Sequence, residues 1–109
     1  MTNPSEEEGW GDVASKLLFE NERVRIWEMK LEPGETGPMH EHKLDNILVQ
    51  ISGDRMAVVP HPDSRGPYHD YLEADVVAGQ HFFIDKGGIE QARNVGHEPY
   101  YEILIELKD

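Results

Sequence analysis

The feature that most constrains the fold of this chain is its series of short apolar segments, which turn-forming residues separate about every ten residues. The segments are Val24 to Leu31, Ile47 to Ser52, Arg55 to Val59, Asp75 to Val77, Gln80 to Ile84 and a final alternation of Tyr101, Ile103, Ile105 and Leu107. Such alternation is typical of half-buried strands, and nowhere do apolar residues keep a helical period over three turns. The pattern predicts an all-β fold, either a small antiparallel β-barrel or a double-sheet jelly roll.

The length of the chain indicates one domain. With 109 residues, two independent hydrophobic cores are not expected, and we predict a single domain over residues 12–109. Residues 1–11 combine Pro, Gly and an acidic run without periodicity, so we predict a flexible N-terminal tail with Trp10 as its anchor. A core of this size supports only marginal stability, and we therefore expect a homodimer formed through the outer β surface.

Charge and composition narrow the partners. The chain carries 22 acidic and 10 basic residues, a formal net charge of −12, which disfavours nucleic acid and anionic membranes as partners. The acidic start lacks the basic flank and apolar centre of a signal peptide, and no apolar run is long enough to span a bilayer, so we expect a cytoplasmic protein. Because the chain has no cysteine, histidines and carboxylates must carry any metal or catalytic chemistry.

Two spaced motifs single out one pair of histidines. His40 and His42 stand two apart at the start of a predicted strand, so both rings project to the same face. Around them the sequence reads G-x5-H-x-H-x3-N-x6-G from Gly34 to Gly53, and a second motif runs from Gly79 to Asn94 with Glu90 inside it. In spacing and order these motifs resemble those of the cupins, and the resemblance covers roughly residues 18–108.

The resemblance implies a metal site. In metal-binding cupins the corresponding ligands are two His and a Glu from the first motif and a His from the second, which carries over to His40, His42, Asn46 and Glu90. Asn46 replaces the Glu and Glu90 replaces the His, so the chain keeps one carboxylate and loses one imidazole. Two His and one carboxylate suit ferrous iron, and manganese, nickel or zinc also fit. Asp45 is a further candidate ligand if a bulge turns it inward.

The sequence leaves three functions open. In the first, a metal-dependent enzyme acts on a small polar metabolite as a dioxygenase, decarboxylase or isomerase. In the second, a metal-free isomerase, lyase or cyclase uses Glu90, His40 and His42 as acid and base groups. In the third, the barrel is a module that binds a small ligand without turning it over. Gln50 and His81 also alternate with apolar residues, so both are predicted to point inward, either to hydrogen-bond to each other or to line a polar pocket.

Overall fold

The computed structural model describes residues 11–108. The predicted flexible tail, including Trp10, therefore lies outside the described residues apart from Gly11. The amide of Gly11 donates a hydrogen bond to the carbonyl of Met39 at 2.8 Å, and Val13 and Ala14 are buried in the core. The segment that follows the predicted tail is thus packed onto the barrel.

The described residues form nine β-strands and no helix. In chain order they are β1 (Lys16–Glu20), β2 (Val24–Leu31), β3 (His40–Glu41), β4 (Asn46–Ser52), β5 (Arg55–Pro60), β6 (Leu72–Asp75), β7 (His81–Ile84), β8 (Ile89–Asn94) and β9 (Tyr100–Leu107). Within residues 11–108 there is accordingly no helix long and apolar enough to cross a membrane.

The strands form two antiparallel sheets. The five-stranded sheet has the order β1-β2-β9-β4-β7, and the four-stranded sheet has the order β3-β8-β5-β6. From β2 to β9 the chain crosses several times from one sheet to the other. Residues that are distant in sequence therefore meet across the interior. The predicted all-β, double-sheet architecture is confirmed.

The apolar alternation located most strands but not all. The predicted strands that correspond to β2, β4, β5, β7 and β9 are present. The segment predicted at Asp75 to Val77 is instead β6, whose last residue, Asp75, pairs with Arg55, the first residue of β5. β1 and β8 were not predicted, and β8 has a polar sequence, IEQARN, whose strand conformation depends on pairing with β3 and β5.

The inner face of the five-stranded sheet consists of rows of residues that are in register across neighbouring strands. One row is apolar and joins Trp27, Leu104, Leu48 and Phe82. The row on each side contains a polar pair: Glu106 is opposite Asn46 on one side, and Glu102 is opposite Gln50 on the other. Since inward residues on a strand repeat every two positions, each of these polar pairs lies about 7 Å along the strands from the apolar row.

The half-buried pattern predicted for β9 is confirmed, although its buried positions are Tyr100, Glu102, Leu104 and Glu106. Ile103 and Ile105 face outward. Ile105 belongs to an outer row that is apolar on all five strands, formed by Phe19, Ile26, Ile105, Ile47 and Phe83. We refer to these five residues as the outer row. Its two ends are well exposed, with 51% of Phe19 and 61% of Phe83 accessible to solvent.

The glycines of the two motifs have a conformational role. Gly34, Gly53, Gly79 and Gly87 are the described residues with positive φ. At Gly87, with φ of 113°, a side chain would be strained and would also approach the backbone of Arg65 to 3.2 Å. This turn leads directly into β8, and it therefore helps to set where Glu90 enters the interior.

Candidate metal centre and cavity

Strand pairing brings the candidate ligands together. β3 pairs with β8 so that His40 is directly opposite Glu90, and the backbone of His42 continues the ladder by bonding to Gly88 and Gly87. Directly paired residues have Cβ atoms about 5 Å apart, which allows their side chains to meet. A Cβ on Gly88 would lie 3.6 Å from both Glu90 Oε2 and His42 Cδ2, an ordinary contact distance, so Gly88 lies directly beside the place where the two side chains converge.

The three side chains form a compact buried cluster. His40, His42 and Glu90 each offer one ligand atom, and these atoms all lie within 4.8 Å of one another. His40 Nε2 is 3.2 Å from His42 Nε2, which is 3.0 Å from Glu90 Oε1. Two donors bound at right angles to one ion, each at about 2.1 Å, are about 3.0 Å apart. The observed separations therefore suit a shared divalent ion.

His40 is held in the protonation state that ligation requires. Its Nδ1 lies 3.1 Å from the carbonyl oxygen of Pro38, which can only accept, so Nδ1 carries the proton and Nε2 keeps its lone pair. Burial, and then the neighbouring charge of His42, lower the pKa of His40 to about 4. The ring is therefore neutral at physiological pH, with Nε2 directed into the cluster.

Two buried oxygens in this region have no hydrogen-bond partner among the described residues: Glu90 Oε2 and Asn46 Oδ1. A buried acceptor without a partner is costly, by about 1–3 kcal/mol, unless a ligand or ion satisfies it. For Glu90 the free oxygen belongs to the ligand cluster itself, so the donor set fits a cation. Asn46 instead approaches the opposite side of the ring, with Nδ2 3.5 Å from His42 Nδ1.

The other polar candidates lie elsewhere. The carboxylate of Asp45 accepts a hydrogen bond from the amide of Lys86 at 2.9 Å and is not part of the ligand cluster, because no bulge turns it inward. The prediction that His81 points inward is wrong: its side chain is exposed, and its ring bonds to the carbonyl of Gly79. The side chain that points inward at this end of the segment is that of Gln80, whose Nε2 donates a hydrogen bond to Gln50 Oε1 at 2.8 Å.

A cavity of about 160 Å³ lies between the two sheets, with His40, His42 and Glu90 in its wall. Most of the remaining lining is apolar, and Leu48, Leu104 and Phe82 of the inner apolar row contribute to it. Its polar residues away from the cluster include Gln50, Gln80, Tyr68, Tyr100 and Glu102. Neither Lys nor Arg is among the described residues that line it.

Sequence reasoning missed Tyr100, Glu102 and Gln80 as cavity residues. In this segment the apolar residues Ile103 and Ile105 define the alternation, so Glu102 at the intervening position was not identified as an interior residue. One signal was available: two glutamates, Glu102 and Glu106, repeat at inward spacing relative to Leu104. Burial raises the pKa of Glu102 to about 7, with Tyr100 donating to its carboxyl group at 2.5 Å.

Comparisons with known proteins agree on the fold. A cupin domain from Bordetella pertussis superposes with a TM-score of 0.70 at 17% identity, covering 91% of this chain and all of that one. An RmlC-like cupin from Methanocaldococcus jannaschii superposes with a TM-score of 0.68 at 16% identity, covering 85% of this chain and 77% of that one. No protein-family profile matches the chain.

Two curated relatives, both named as auxin-binding proteins, are detectable by sequence. Auxin-binding protein 1 of Arabidopsis thaliana is 25% identical over 93 residues, which is 85% of this chain and 46% of that protein. The chain thus spans about half the length of this relative. Taken together, fold and site define a small antiparallel double-sheet barrel with a buried cluster of two histidines and a carboxylate. The described residues therefore have the cupin fold that the two motifs predicted.

Proposed function

We propose that His40, His42 and Glu90 hold a divalent metal ion, and that the adjoining cavity binds a small polar metabolite on which this centre acts. The observation that supports this most directly is the convergence of three buried ligand atoms within 4.8 Å of one another. In addition, the second carboxylate oxygen of Glu90 is buried and has no hydrogen-bond partner among the described residues. The expected metals remain iron, manganese, nickel or zinc, which bind such mixed nitrogen and oxygen sites.

The charge of the cavity supports the same proposal. Its wall contains Glu90 and Glu102 but no Lys or Arg among the described residues, and the chain has a net charge of −12. A carboxylate or enolate ligand would meet no positive side chain there. A bound cation would provide the missing charge, as metal ions do at many anion-binding sites.

The chain's own residues would then prepare the site. Pro38 fixes the tautomer of His40, and apolar lining such as Leu48 excludes bulk water. When bound, a divalent ion supplies Lewis-acid polarisation of a substrate oxygen. Asn46 acts as a positioning residue for His42 in this proposal, because its amide has both a donor and an acceptor and can pair with either tautomer of that ring. Dioxygenation, decarboxylation and isomerisation stay predictions for the reaction.

Two alternatives are each favoured by one observation. The 3.0 Å contact between His42 Nε2 and Glu90 Oε1 beside the cavity supports a metal-free acid–base pair in an isomerase, lyase or cyclase. The similarity to a protein named for auxin binding supports a module that binds a small ligand without turnover.

For the assembly, we propose a homodimer that pairs the outer rows of two copies. Monomers rarely expose contiguous apolar patches larger than a few hundred Å², and a second copy is the commonest partner of such a face. The outer row carries no charge across all five strands, so two copies can meet there although each has a net charge of −12. The cytoplasmic location stays a prediction from the sequence.

Metal analysis tests the proposed centre. We expect purified protein, incubated in turn with Fe²⁺, Mn²⁺, Ni²⁺ and Zn²⁺ and then desalted, to retain about one ion per chain of at least one metal. His40→Ala and Glu90→Ala should weaken metal binding by at least about 100-fold, because each removes a ligand. Asn46→Leu should weaken it by about tenfold through the orientation of His42, as outer partners of metal ligands do.

His81→Ala is the matched control, since it removes an exposed histidine of the same protein and should leave metal binding unchanged. Calorimetric titration gives the dissociation constants, and circular dichroism checks that each variant is folded. A wild-type protein that stays empty with all four metals would overturn the metal proposal and leave the acid–base pair as the better account. Unchanged affinity in His40→Ala would show that the ions bind elsewhere.

A further inference from the structure

A chain of hydrogen bonds lies on the cavity wall, apart from the metal cluster. Gln80 Nε2 donates to Gln50 Oε1 at 2.8 Å, Gln50 Nε2 donates to the Tyr100 hydroxyl at 3.3 Å, and that hydroxyl donates to Glu102 Oε1 at 2.5 Å. All four side chains line the cavity. We call these four residues the polar row, because Gln50 and Glu102 are register partners on neighbouring strands.

The polar row is an unusual use of interior positions. Gln50 and Glu102 are only 8% and 3% exposed, and the neighbouring inward positions on the same two strands are occupied by Leu48 and Leu104. Burying polar groups costs free energy even when they are paired, and leucines would pack there without that cost. Polar groups in an otherwise apolar cavity wall typically fix the orientation of a ligand.

The polar row is mostly neutral below pH 7. Burial raises the pKa of Glu102 to about 7, and burial together with the nearby Glu102 charge raises the pKa of Tyr100 above its ordinary range. A protonated carboxyl, a phenol and two amides offer both donors and acceptors but no positive charge. Such a wall suits a hydroxyl, carbonyl or amide group and disfavours a second carboxylate on the ligand.

The polar row lies at the other end of the inner face from Asn46. Gln50 follows Asn46 by four residues along β4, a distance of about 13 Å, and the apolar row with Leu48 lies between them. Side chains from both ends occupy part of that length. The cavity volume of about 160 Å³ resembles that of engineered cavities that hold one benzene molecule, so it suits a ligand of about six to eight non-hydrogen atoms.

We propose that Gln50, Gln80, Tyr100 and Glu102 form a specificity site for the uncharged, hydrogen-bonding end of a small monocarboxylate whose anionic end lies at His40, His42 and Glu90. The inference rests on the proposed metal function for the anionic end only. It names the ligand class as hydroxy-, oxo- or amido-monocarboxylates and excludes dicarboxylates and simple fatty acids as good ligands.

Three four-carbon probes separate these classes. Zinc-loaded protein is titrated with 4-hydroxybutyrate, butyrate and succinate, and binding is followed by the side-chain amide signals of glutamine in ¹⁵N-labelled protein. The chain has only three glutamines, Gln50, Gln80 and Gln91, so the signals are readily assigned with single Gln→Met variants. We expect 4-hydroxybutyrate to bind about tenfold more tightly than either other probe, since one buried hydrogen bond contributes about that factor. Its binding should shift the Gln50 and Gln80 amides.

The chain offers a closely matched control pair. Tyr100→Phe should reduce the preference for 4-hydroxybutyrate to about threefold or less. Tyr101→Phe should leave it unchanged, because Tyr101 is the adjacent residue on the outer face, where it donates to Glu28 at 2.7 Å. If Tyr100→Phe does not fold, Gln80→Met at the other end of the polar row replaces it with the same expected loss. Equal affinity for the three probes, tightest binding of succinate, or equal effects of the two tyrosine variants would overturn the proposal.

Failure of the metal proposal gives a different result. If metal analysis shows that the protein retains none of the four metals, the proposed centre is wrong, and the polar row is then tested in metal-free protein with two uncharged probes, 1,4-butanediol and 1-butanol. Stronger binding of the diol, with shifts of the Gln50 and Gln80 amides that Tyr100→Phe abolishes, would support the specificity site. Equal binding of diol and alcohol would overturn it.

Discussion

The two faces of the five-stranded sheet differ most along β9, where two glutamates are buried and two isoleucines face outward. The inner face carries Glu102, Glu106, Asn46 and Gln50 around an apolar row, whereas the outer row is apolar on every strand. Even the tyrosine–glutamate pairs are duplicated, with Tyr100 and Glu102 inside and Tyr101 and Glu28 outside. Along β9 the more apolar face is therefore not the buried one, because the interior of this barrel holds polar groups beside its apolar row.

The largest expected difference between the faces is in packing. Leu104→Ala should lower the free energy of unfolding by about 3 kcal/mol, because the side chain is only 1% exposed and its loss enlarges the interior. Ile103→Ala, one residue away on the outer face, should cost about 1 kcal/mol or less. Urea denaturation at low protein concentration, which minimises any contribution from dimers, measures both. Equal losses would contradict the assignment of the two faces.

Because the more apolar face of β9 is not the buried one, the sequence predicted the position of β9 but not which of its faces is buried. Alternation located β9 correctly, since a period of two is visible whichever face is buried, but it did not identify Glu102 as an interior residue. His81 and Gln80 differ by one position, and a one-residue error in phase exchanges the faces. β8 has few apolar residues, so only its pairing partners define it.

The cluster of two histidines and a glutamate was more predictable than the cavity wall. The motif spacing placed His40, His42 and Glu90 in one site because the glycine turns between strands fix the register that makes His40 face Glu90. The position of Asn46 on the far side of the His42 ring depends on a side-chain orientation that spacing does not encode. The polar row likewise depends on contacts between β4, β7 and β9, which are distant in sequence.

The second difference between the faces is in pH dependence. The unfolded chain has an ordinary Glu pKa of 4.5 at Glu102, whereas the folded value is about 7, so the folded state binds this proton more tightly. The associated stability is complete below pH 4.5 and is lost as pH rises to about 7. At about 1.4 kcal/mol per pH unit, wild type should lose at most about 3 kcal/mol more than Glu102→Gln over this range.

Urea denaturation at half-unit steps from pH 4.5 to 7.5 tests this dependence. Glu28→Gln, which removes the matching carboxylate from the outer face, is the control. If the difference between wild type and Glu102→Gln stays constant with pH, Glu102 is already ionised in the folded protein. The neutral character assigned to the polar row would then be wrong.

The smallest expected effect on stability, and the clearest on assembly, concerns the outer row. Phe83→Lys and Ile47→Lys place a charge at one end and near the middle of the row, where two copies would meet. For Phe83→Lys, which changes an exposed side chain, the free energy of unfolding of the monomer should change by about 0.5 kcal/mol or less. Both variants should nevertheless shift the protein from dimer to monomer in sedimentation experiments, because a buried unpaired charge opposes the interface.

Val77→Lys, which changes an equally exposed apolar residue outside the sheet, should leave the dimer intact. A wild-type protein that sediments as a monomer at high concentration would show that the exposed apolar face does not pair with a second copy.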